Sequence, residues 1–155
     1  MTSYLPKFLA GVVLAAMVPN SSALEIAIQN TQGLAFGSFV SGSGGTVTVS
    51  TNGGRSASGG VLLIPSSTSS AAQFTVTGDA DATYTIQLPG NDFVTLTGPG
   101  GDMVINDFTS SPSGATGQLS AGGSQTLLIG GTLNIANGQL PGNYSGSFTV
   151  IVDYN

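Results

Sequence analysis

Seven carboxylates and two cations are the charged side chains of this 155-residue sequence that could support acid–base or electrostatic chemistry. The acids are Glu25, Asp79, Asp81, Asp92, Asp102, Asp107 and Asp153, and the cations are Lys7 and Arg55. Without His or Cys, the chain cannot assemble a Ser–His triad, a thiolate nucleophile or the usual zinc sites. A pair of carboxylates could serve a glycosidase, but most of the Asp residues stand in turn-like contexts, where Asp binds nearby backbone amides. We therefore expect a protein that is not an enzyme and that needs no cofactor or metal.

The low charge of the chain limits the classes of partner that it could bind. Only 6% of the residues are charged, and the formal net charge is −5. Nucleic acid is excluded as a partner, and anionic membrane surfaces are disfavoured, because no basic cluster exists to neutralise phosphates. Asp79-Ala-Asp81 lacks the Gly and the distal Glu of an EF-hand calcium loop. Arg55 follows Asn-Gly-Gly, and we predict that it is exposed beside a hairpin rather than anchoring a partner's carboxylate.

Residues 1–23 have the three-part order of a secretory signal peptide. Lys7 supplies a positive charge, Phe8–Val18 is an unbroken apolar run, and Ser21-Ser-Ala23 offers small residues for cleavage after Ala23. The apolar run is too short to span a bilayer as a helix. We expect an exported mature chain without a transmembrane segment, which passes through the periplasm to the cell surface, a fimbrium or the medium.

Alternating apolar residues and Gly-rich turns predict an all-β domain over residues 34–155. Turn signals recur at about 8–12-residue spacing, which favours an antiparallel β-sandwich, with a small closed barrel as the alternative. The predicted strands are Leu34–Phe39, Thr46–Ser50, Gly60–Ile64, Ala72–Thr77, Thr83–Leu88, Phe93–Thr97, Met103–Phe108, Thr126–Gly130, Thr132–Ala136 and Tyr144–Asn155. Thr51-Asn-Gly-Gly54 is the strongest hairpin signal, since Asn-Gly accepts positive φ at both turn positions.

A separate extension, residues 24–33, precedes the predicted sandwich. Leu24–Ile28 alternates apolar and other residues, as a strand does. Residues 29–33 are polar, and we interpret them as a flexible linker.

Four stretches of the chain resemble the bacterial secreted family called domain of unknown function 4402. They are Gly44-Gly-Thr-Val-Thr-Val, Ala72-Gln-Phe-Thr-Val-Thr-Gly, Tyr84-Thr-Ile-Gln-Leu-Pro and Pro141-Gly-Asn-Tyr-Ser-Gly-Ser-Phe-Thr-Val. The likeness covers nearly all of Leu34 to Asn155 and implies an immunoglobulin-like, fimbria-like sandwich without a proven activity.

The C-terminus resembles that of chaperone–usher pilus subunits, which have a penultimate Tyr and alternating apolar residues before it. Those subunits resemble an immunoglobulin fold without its last strand. A strand of a periplasmic chaperone fills the gap first, and the N-terminal extension of the next subunit then replaces it. The resemblance therefore implies a periplasmic chaperone and an outer-membrane usher as partners. The resemblance implies that Leu24, Ile26 and Ile28 are donor side chains. It also implies an acceptor groove formed by Gly142, Phe148, Val150, Val152 and Tyr154.

Two interpretations of the extension remain open. It is donated to a neighbouring subunit in a homopolymeric fimbria, or it folds onto its own sheet and completes the sandwich. The second interpretation suits a monomeric secreted or surface adhesin that binds carbohydrate or protein through its loops. The chain departs from many pilus subunits, because it has no Cys for a disulfide and only three donor side chains.

Overall fold

The computed structural model describes residues 22–155, so the predicted signal peptide lies outside the described residues except for its last two. The described part of the chain is all β and contains no helix. Its strands are β1 (Ala27–Gln32), β2 (Phe39–Val40), β3 (Gly45–Val49), β4 (Arg55–Gly59), β5 (Leu62–Leu63), β6 (Ala72–Thr77), β7 (Thr83–Gln87), β8 (Val94–Gly98), β9 (Gly101–Ser111), β10 (Thr116–Gln118), β11 (Ser124–Ile135) and β12 (Ile151–Tyr154). The predicted all-β class is confirmed.

The long strand β11 organises the larger sheet. One of its edges pairs with β6 over its first half and with β3 over its second half, while the opposite edge pairs with β9. The sheet continues outward through β1 beside β6, β4 beside β3 and β8 beside β9, and every pairing is antiparallel. The strand β1 is therefore an edge strand of this sheet.

A smaller sheet in the order β10-β7-β12 covers part of the larger one, and β2 and β5 form a short ribbon. Tyr84 and Val152 of the smaller sheet are buried in the same cluster as Val76 and Leu127 of the larger sheet. Two sheets that bury their inner faces against each other form a β-sandwich, as the sequence predicts.

The core contains two adjoining clusters of apolar side chains. Leu34, Phe108 and Phe148 pack against both of them. The ring of Phe148 lies with its centroid 5.1 Å from that of Phe108 and 6.3 Å from that of Phe74. These aromatic contacts join the two halves of the core.

Several predicted strands are shorter or longer than expected. The predicted strand Leu34–Phe39 is wrong, since its residues form only a single bridge from Ala35 to Ser70 and the start of β2. The two strands predicted around Gly130-Gly131 are one continuous strand, β11. Glycine is needed at Gly130 because a β-carbon there would collide with the carbonyl oxygen of Val49 on the neighbouring β3.

The hairpin predicted at Thr51-Asn-Gly-Gly54 joins β3 to β4. Gly53 has a φ of 85°, in the left-handed region, but Asn52 does not have a positive φ, so only one of the two turn positions takes the conformation expected of an Asn-Gly turn. The strand β4 was not predicted, because its small and polar residues carry little apolar alternation. Residues 29–33, interpreted as a linker, lie mostly within β1. Their polarity fits an edge strand whose side chains are almost all exposed.

Candidate functional site

Two edge strands of the sandwich carry the predicted donor and acceptor residues. The strand β12 pairs with β7 on one side, and no described strand pairs with its other side. The strand β1 occupies the outer edge of the larger sheet beside β6. An unpaired strand edge presents backbone N–H and C=O groups to any chain that can bind there.

An apolar groove lies between the chain segments that continue from these two edges. Its first pocket has a volume of about 310 Å³, and its second has a volume of about 550 Å³. The two pockets share Leu34, Phe36, Leu96 and Gly146, so we treat them as one groove and call it the seam groove. The apolar lining of the first pocket is completed by Phe74, Val94, Ile105 and Phe148.

The walls of the seam groove are irregular backbone. Residues 36–38 belong to no strand, and residues 146–150 likewise lie outside the described strands. The final strand predicted over Tyr144–Asn155 is therefore confirmed only from Ile151 onward, apart from one bridge between Ser145 and Thr97. The groove is a place where two neighbouring stretches of chain approach each other without forming a ladder.

The predicted acceptor residues have different positions relative to the groove. Phe148 lines its first pocket and Gly142 its second. Val150 and Val152 are buried between the sheets instead. Tyr154 lines neither pocket, and its hydroxyl binds the N-terminal segment.

The predicted donor side chains lie on their own domain in this single chain. Ile26 and Ile28 are half-buried against the cluster that contains Val76. Leu24 is 62% exposed. In this arrangement β1 completes the edge of its own sheet, which is the second of the two interpretations left open by the sequence.

Three hydrogen bonds connect Leu24 of the N-terminal segment, Asp79 of the turn after β6 and Tyr154 of the C-terminal strand with one another. The Leu24 N–H donates to Asp79 Oδ1 over 2.8 Å, and the Tyr154 hydroxyl donates to the Leu24 carbonyl oxygen over 2.8 Å. The Asp79 N–H donates to the Tyr154 hydroxyl oxygen over 2.7 Å. The penultimate Tyr therefore connects the N-terminal segment and the last strand directly.

Arg55 supports one wall of the seam groove, so the prediction that it is exposed beside the hairpin is wrong. It is half-buried, and its guanidinium donates to the carbonyl oxygens of Phe36, Ser38, Ile64 and Ser67. A planar guanidinium with five N–H donors suits this role, because it can bridge several acceptors at once. Arg55 thus anchors residues 36–38 and the segment that follows β5.

Tyr144 supports the opposite wall. Its ring lies against Gly98 and Gly100, where added β-carbons would come within 2.5 Å of the Tyr side chain. Its hydroxyl donates to the Leu140 carbonyl oxygen over 2.7 Å and accepts from the Gly100 N–H over 2.9 Å. Glycine in the turn between β8 and β9 therefore makes room for the side chain that fixes the start of residues 145–150.

The acidic residues are scattered or engaged in local structure. Within residues 22–155, no group of three or more His, Cys, Asp or Glu side chains lies close enough to hold a metal ion. The Asp79 carboxylate binds the Leu24 N–H, and Asp81 has a φ of 59° in the turn before β7. Among the same residues, no helix is long and apolar enough to cross a membrane.

Sequence reasoning missed Leu96, Leu34 and Phe36 as groove residues. Leu34 and Phe36 stand two positions apart, and that spacing was interpreted as a strand rather than a groove wall. Leu96 carries no local signal, because β8 reaches the groove only through its pairing with β9.

Comparisons with known proteins agree with the resemblance seen in the sequence. Residues 26–154 match the model of a family described as "Domain of unknown function (DUF4402)". No curated protein and no solved structure matches the chain significantly. Since the family model covers most of the 155 residues, this chain belongs to the DUF4402 family.

Proposed function

We propose that this chain is a structural subunit of an extracellular fimbria and that it joins its neighbours by strand exchange. The observation that carries the proposal is the seam groove, which residues 146–148 line just before β12, together with the unpaired edge of β12 itself. An added strand gains affinity from backbone hydrogen bonds and specificity from alternate side chains that enter pockets. An extended segment of a neighbouring copy would bind along residues 146–150 and place every second side chain in the groove.

The donor would be residues 24–32 of that neighbouring copy. The alternation of Leu24, Ile26 and Ile28 suits a groove whose lining is apolar on one side. In the single chain this segment buries little of its surface, since five of the six residues of β1 are exposed. Transfer exchanges the backbone hydrogen bonds to β6 for similar bonds in the groove, so the net gain comes from apolar area removed from water, about 25 cal/mol per Å².

The geometry of Tyr144 supports an immunoglobulin-like version of the sandwich. Its hydroxyl binds the carbonyl oxygen of Leu140, four residues upstream, in the segment that leads to β12. The tyrosine corner of immunoglobulin-like Greek-key sandwiches has this form. The smaller sheet would then be one strand short, and a periplasmic chaperone and an outer-membrane usher would protect and fill the open edge during export.

Light scattering on mature protein, with and without residues 24–33, tests the role of the N-terminal segment. We expect the full chain to form linear oligomers and the truncated chain to form none, remaining chaperone-bound or aggregating. Two stable monomers with the same melting temperature would refute strand exchange. The adhesin interpretation would then be preferred, with glycan-array binding at the second pocket, which Ser41, Gln139 and Asn143 line, as the next measurement.

Matched substitutions test the acceptor and donor separately. Leu96→Asp puts a charge in the groove, whereas Phe93→Asp, at a side chain that is 85% exposed, changes charge outside it. We expect Leu96→Asp to stop self-assembly and Phe93→Asp to leave it intact. Ile26→Asp should also stop self-assembly, while Ala27→Asp on the exposed face of β1 should not.

Mixing Leu96→Asp with Ile26→Asp distinguishes a loss of strand exchange from a loss of folding stability. Leu96→Asp keeps an intact donor, and Ile26→Asp keeps an intact groove. Together they should form a heterodimer that grows no further, because one free donor and one free groove have been disabled. If the mixture stays monomeric although both variants keep a β-rich circular dichroism spectrum, the proposed donor and acceptor are wrong.

A further inference from the structure

The contacts of Leu24 point to a binding site for a chain terminus. Both backbone polar groups of Leu24 are bound, the N–H by Asp79 Oδ1 at 2.8 Å and the carbonyl oxygen by the Tyr154 hydroxyl at 2.8 Å. Asp79 and Tyr154 also bind each other, through the Asp79 N–H at 2.7 Å. We call these three residues the N-terminal latch.

The latch begins at the residue that signal cleavage would expose. Ser22 and Ala23 are exposed and make no hydrogen bond to another described residue, whereas Leu24 makes two. Cleavage after Ala23 converts the Leu24 amide into an α-amino group, which carries a positive charge below its usual pKa of about 8. The Asp79 carboxylate would then accept a charge-assisted hydrogen bond, which is stronger than a neutral one.

No side chain of the mature sequence competes for this carboxylate. Arg55 is the one cationic residue after position 23, and its guanidinium is engaged by four backbone carbonyls. The acidic neighbours in sequence, Glu25 and Asp81, make the surroundings negative. The N-terminal ammonium of the processed chain is therefore the cation that can pair with the Asp79 carboxylate.

We infer that Asp79 binds the N-terminal ammonium of the processed chain while Tyr154 binds the Leu24 carbonyl oxygen, and that together they hold residues 24–32 on their own domain. This inference rests on the export step of the proposed function. A processed subunit is then closed on itself more firmly than its precursor, and the latch must open before the segment can be donated to a neighbour.

The composition of the chain permits a selective test. Lys7 is the single lysine of the sequence and is removed with the signal peptide, so an amine-reactive acetylating agent modifies only the α-amino group of the mature protein. Acetylation removes the charge but keeps an N–H donor. We expect it to lower the melting temperature by about 2–3 °C, as for loss of one exposed ion pair, and to do so less in 1 M NaCl.

Two Asp→Asn variants with the same change in charge show whether the effect of acetylation on the melting temperature depends on Asp79. In Asp79→Asn the difference between free and acetylated protein should vanish, whereas in Asp81→Asn it should persist. The proposal is overturned if acetylation has no effect on the wild type, or if the effect is the same in Asp79→Asn. The salt dependence of the wild-type difference decides the question if Asp79→Asn does not fold.

The premise and the proposed function are checked separately. Mass spectrometry of the exported protein shows whether the chain starts at Leu24, and any other start also overturns the latch. The melting experiment does not require assembly, so it can succeed where light scattering shows no oligomers. If subunits do assemble, acetylation should speed oligomer growth about two- to five-fold, the factor that corresponds to one exposed ion pair.

Discussion

Replacement of Arg55 by Met is the strongest test of how the groove wall is held. The guanidinium donates to the carbonyl oxygens of Phe36 at 2.9 Å, Ser67 at 3.0 Å and Ser38 at 3.1 Å, and also to that of Ile64. A hydrogen bond to a charged group contributes about 1.5–3 kcal/mol when water is partly excluded. The bonds to Phe36 and Ser67 are part-buried and the other two are exposed, so the expected total is about 3 kcal/mol.

Urea unfolding followed by far-ultraviolet circular dichroism measures this loss, since the chain has no Trp for fluorescence. With a slope of about 1.5 kcal/mol per M, the unfolding midpoint of Arg55→Met should fall by about 2 M. Arg55→Lys keeps the charge but not the planar fork, so we expect most of the same loss. The variants should also assemble poorly, because residues 36–38 form one wall of the seam groove.

Two outcomes would refute this reasoning. A midpoint for Arg55→Met within about 0.3 M of the wild type, which is a few tenths of a kcal/mol, would mean that water replaces the guanidinium at no cost. A midpoint for Arg55→Lys equal to that of the wild type would mean that charge alone, and not the bridging geometry, stabilises the wall.

Three further changes have expected outcomes from the same structure. Gly37→Ala should lower the free energy of unfolding by at least about 1–2 kcal/mol in chemical denaturation, because Gly37 has a φ of 71° and the added β-carbon would collide with the Arg55 guanidinium. In the control variant Gly33→Ala the added β-carbon meets no atom within 4 Å, so that substitution should be neutral or stabilising. Burial raises the pKa of the Tyr84 hydroxyl above 10.0, so the folded state keeps this proton to a higher pH than the unfolded chain does. The resulting contribution to folding stability is complete below pH 10 and is lost as the pH rises above 10, and Tyr84→Phe should therefore make the fall in melting temperature above pH 10 less steep. Asn106→Ala removes hydrogen bonds of 2.8 and 3.2 Å to Asp92. We expect the free energy of unfolding to fall by about 1 kcal/mol and the amide hydrogens of the loop before β8 to exchange faster.

Some features of the fold follow from local sequence alone. The all-β class comes from apolar alternation and from the scarcity of helix-like spacing, and these depend only on neighbouring residues. The hairpin at Asn52-Gly53 and the turn at Gly98–Gly101 are also local, because positive φ and close approach select glycine wherever they occur.

The candidate site was only partly predictable. Phe148 was expected in the groove and lines it, because its alternation with Val150 marks the inner face of a strand. The strand itself fails to form before Ile151, and no local pattern distinguishes a paired stretch from an unpaired one. Arg55 was misplaced for a related reason, since its four acceptors lie 9 to 19 residues away in the chain.

The sequence by itself determined an all-β chain with an alternating C-terminus, an apolar N-terminal segment and a single cation after position 23. Only the tertiary structure decided that β1 pairs with β6, that Tyr154 binds Leu24, and that Leu96 and Phe148 line the same groove. Strand alternation has a period of two residues and is visible in any short window. Strand order, register and gaps depend on contacts between distant parts of the chain, such as the hydrogen bond that spans 130 residues between Leu24 and Tyr154, and these arise only when the whole sandwich packs.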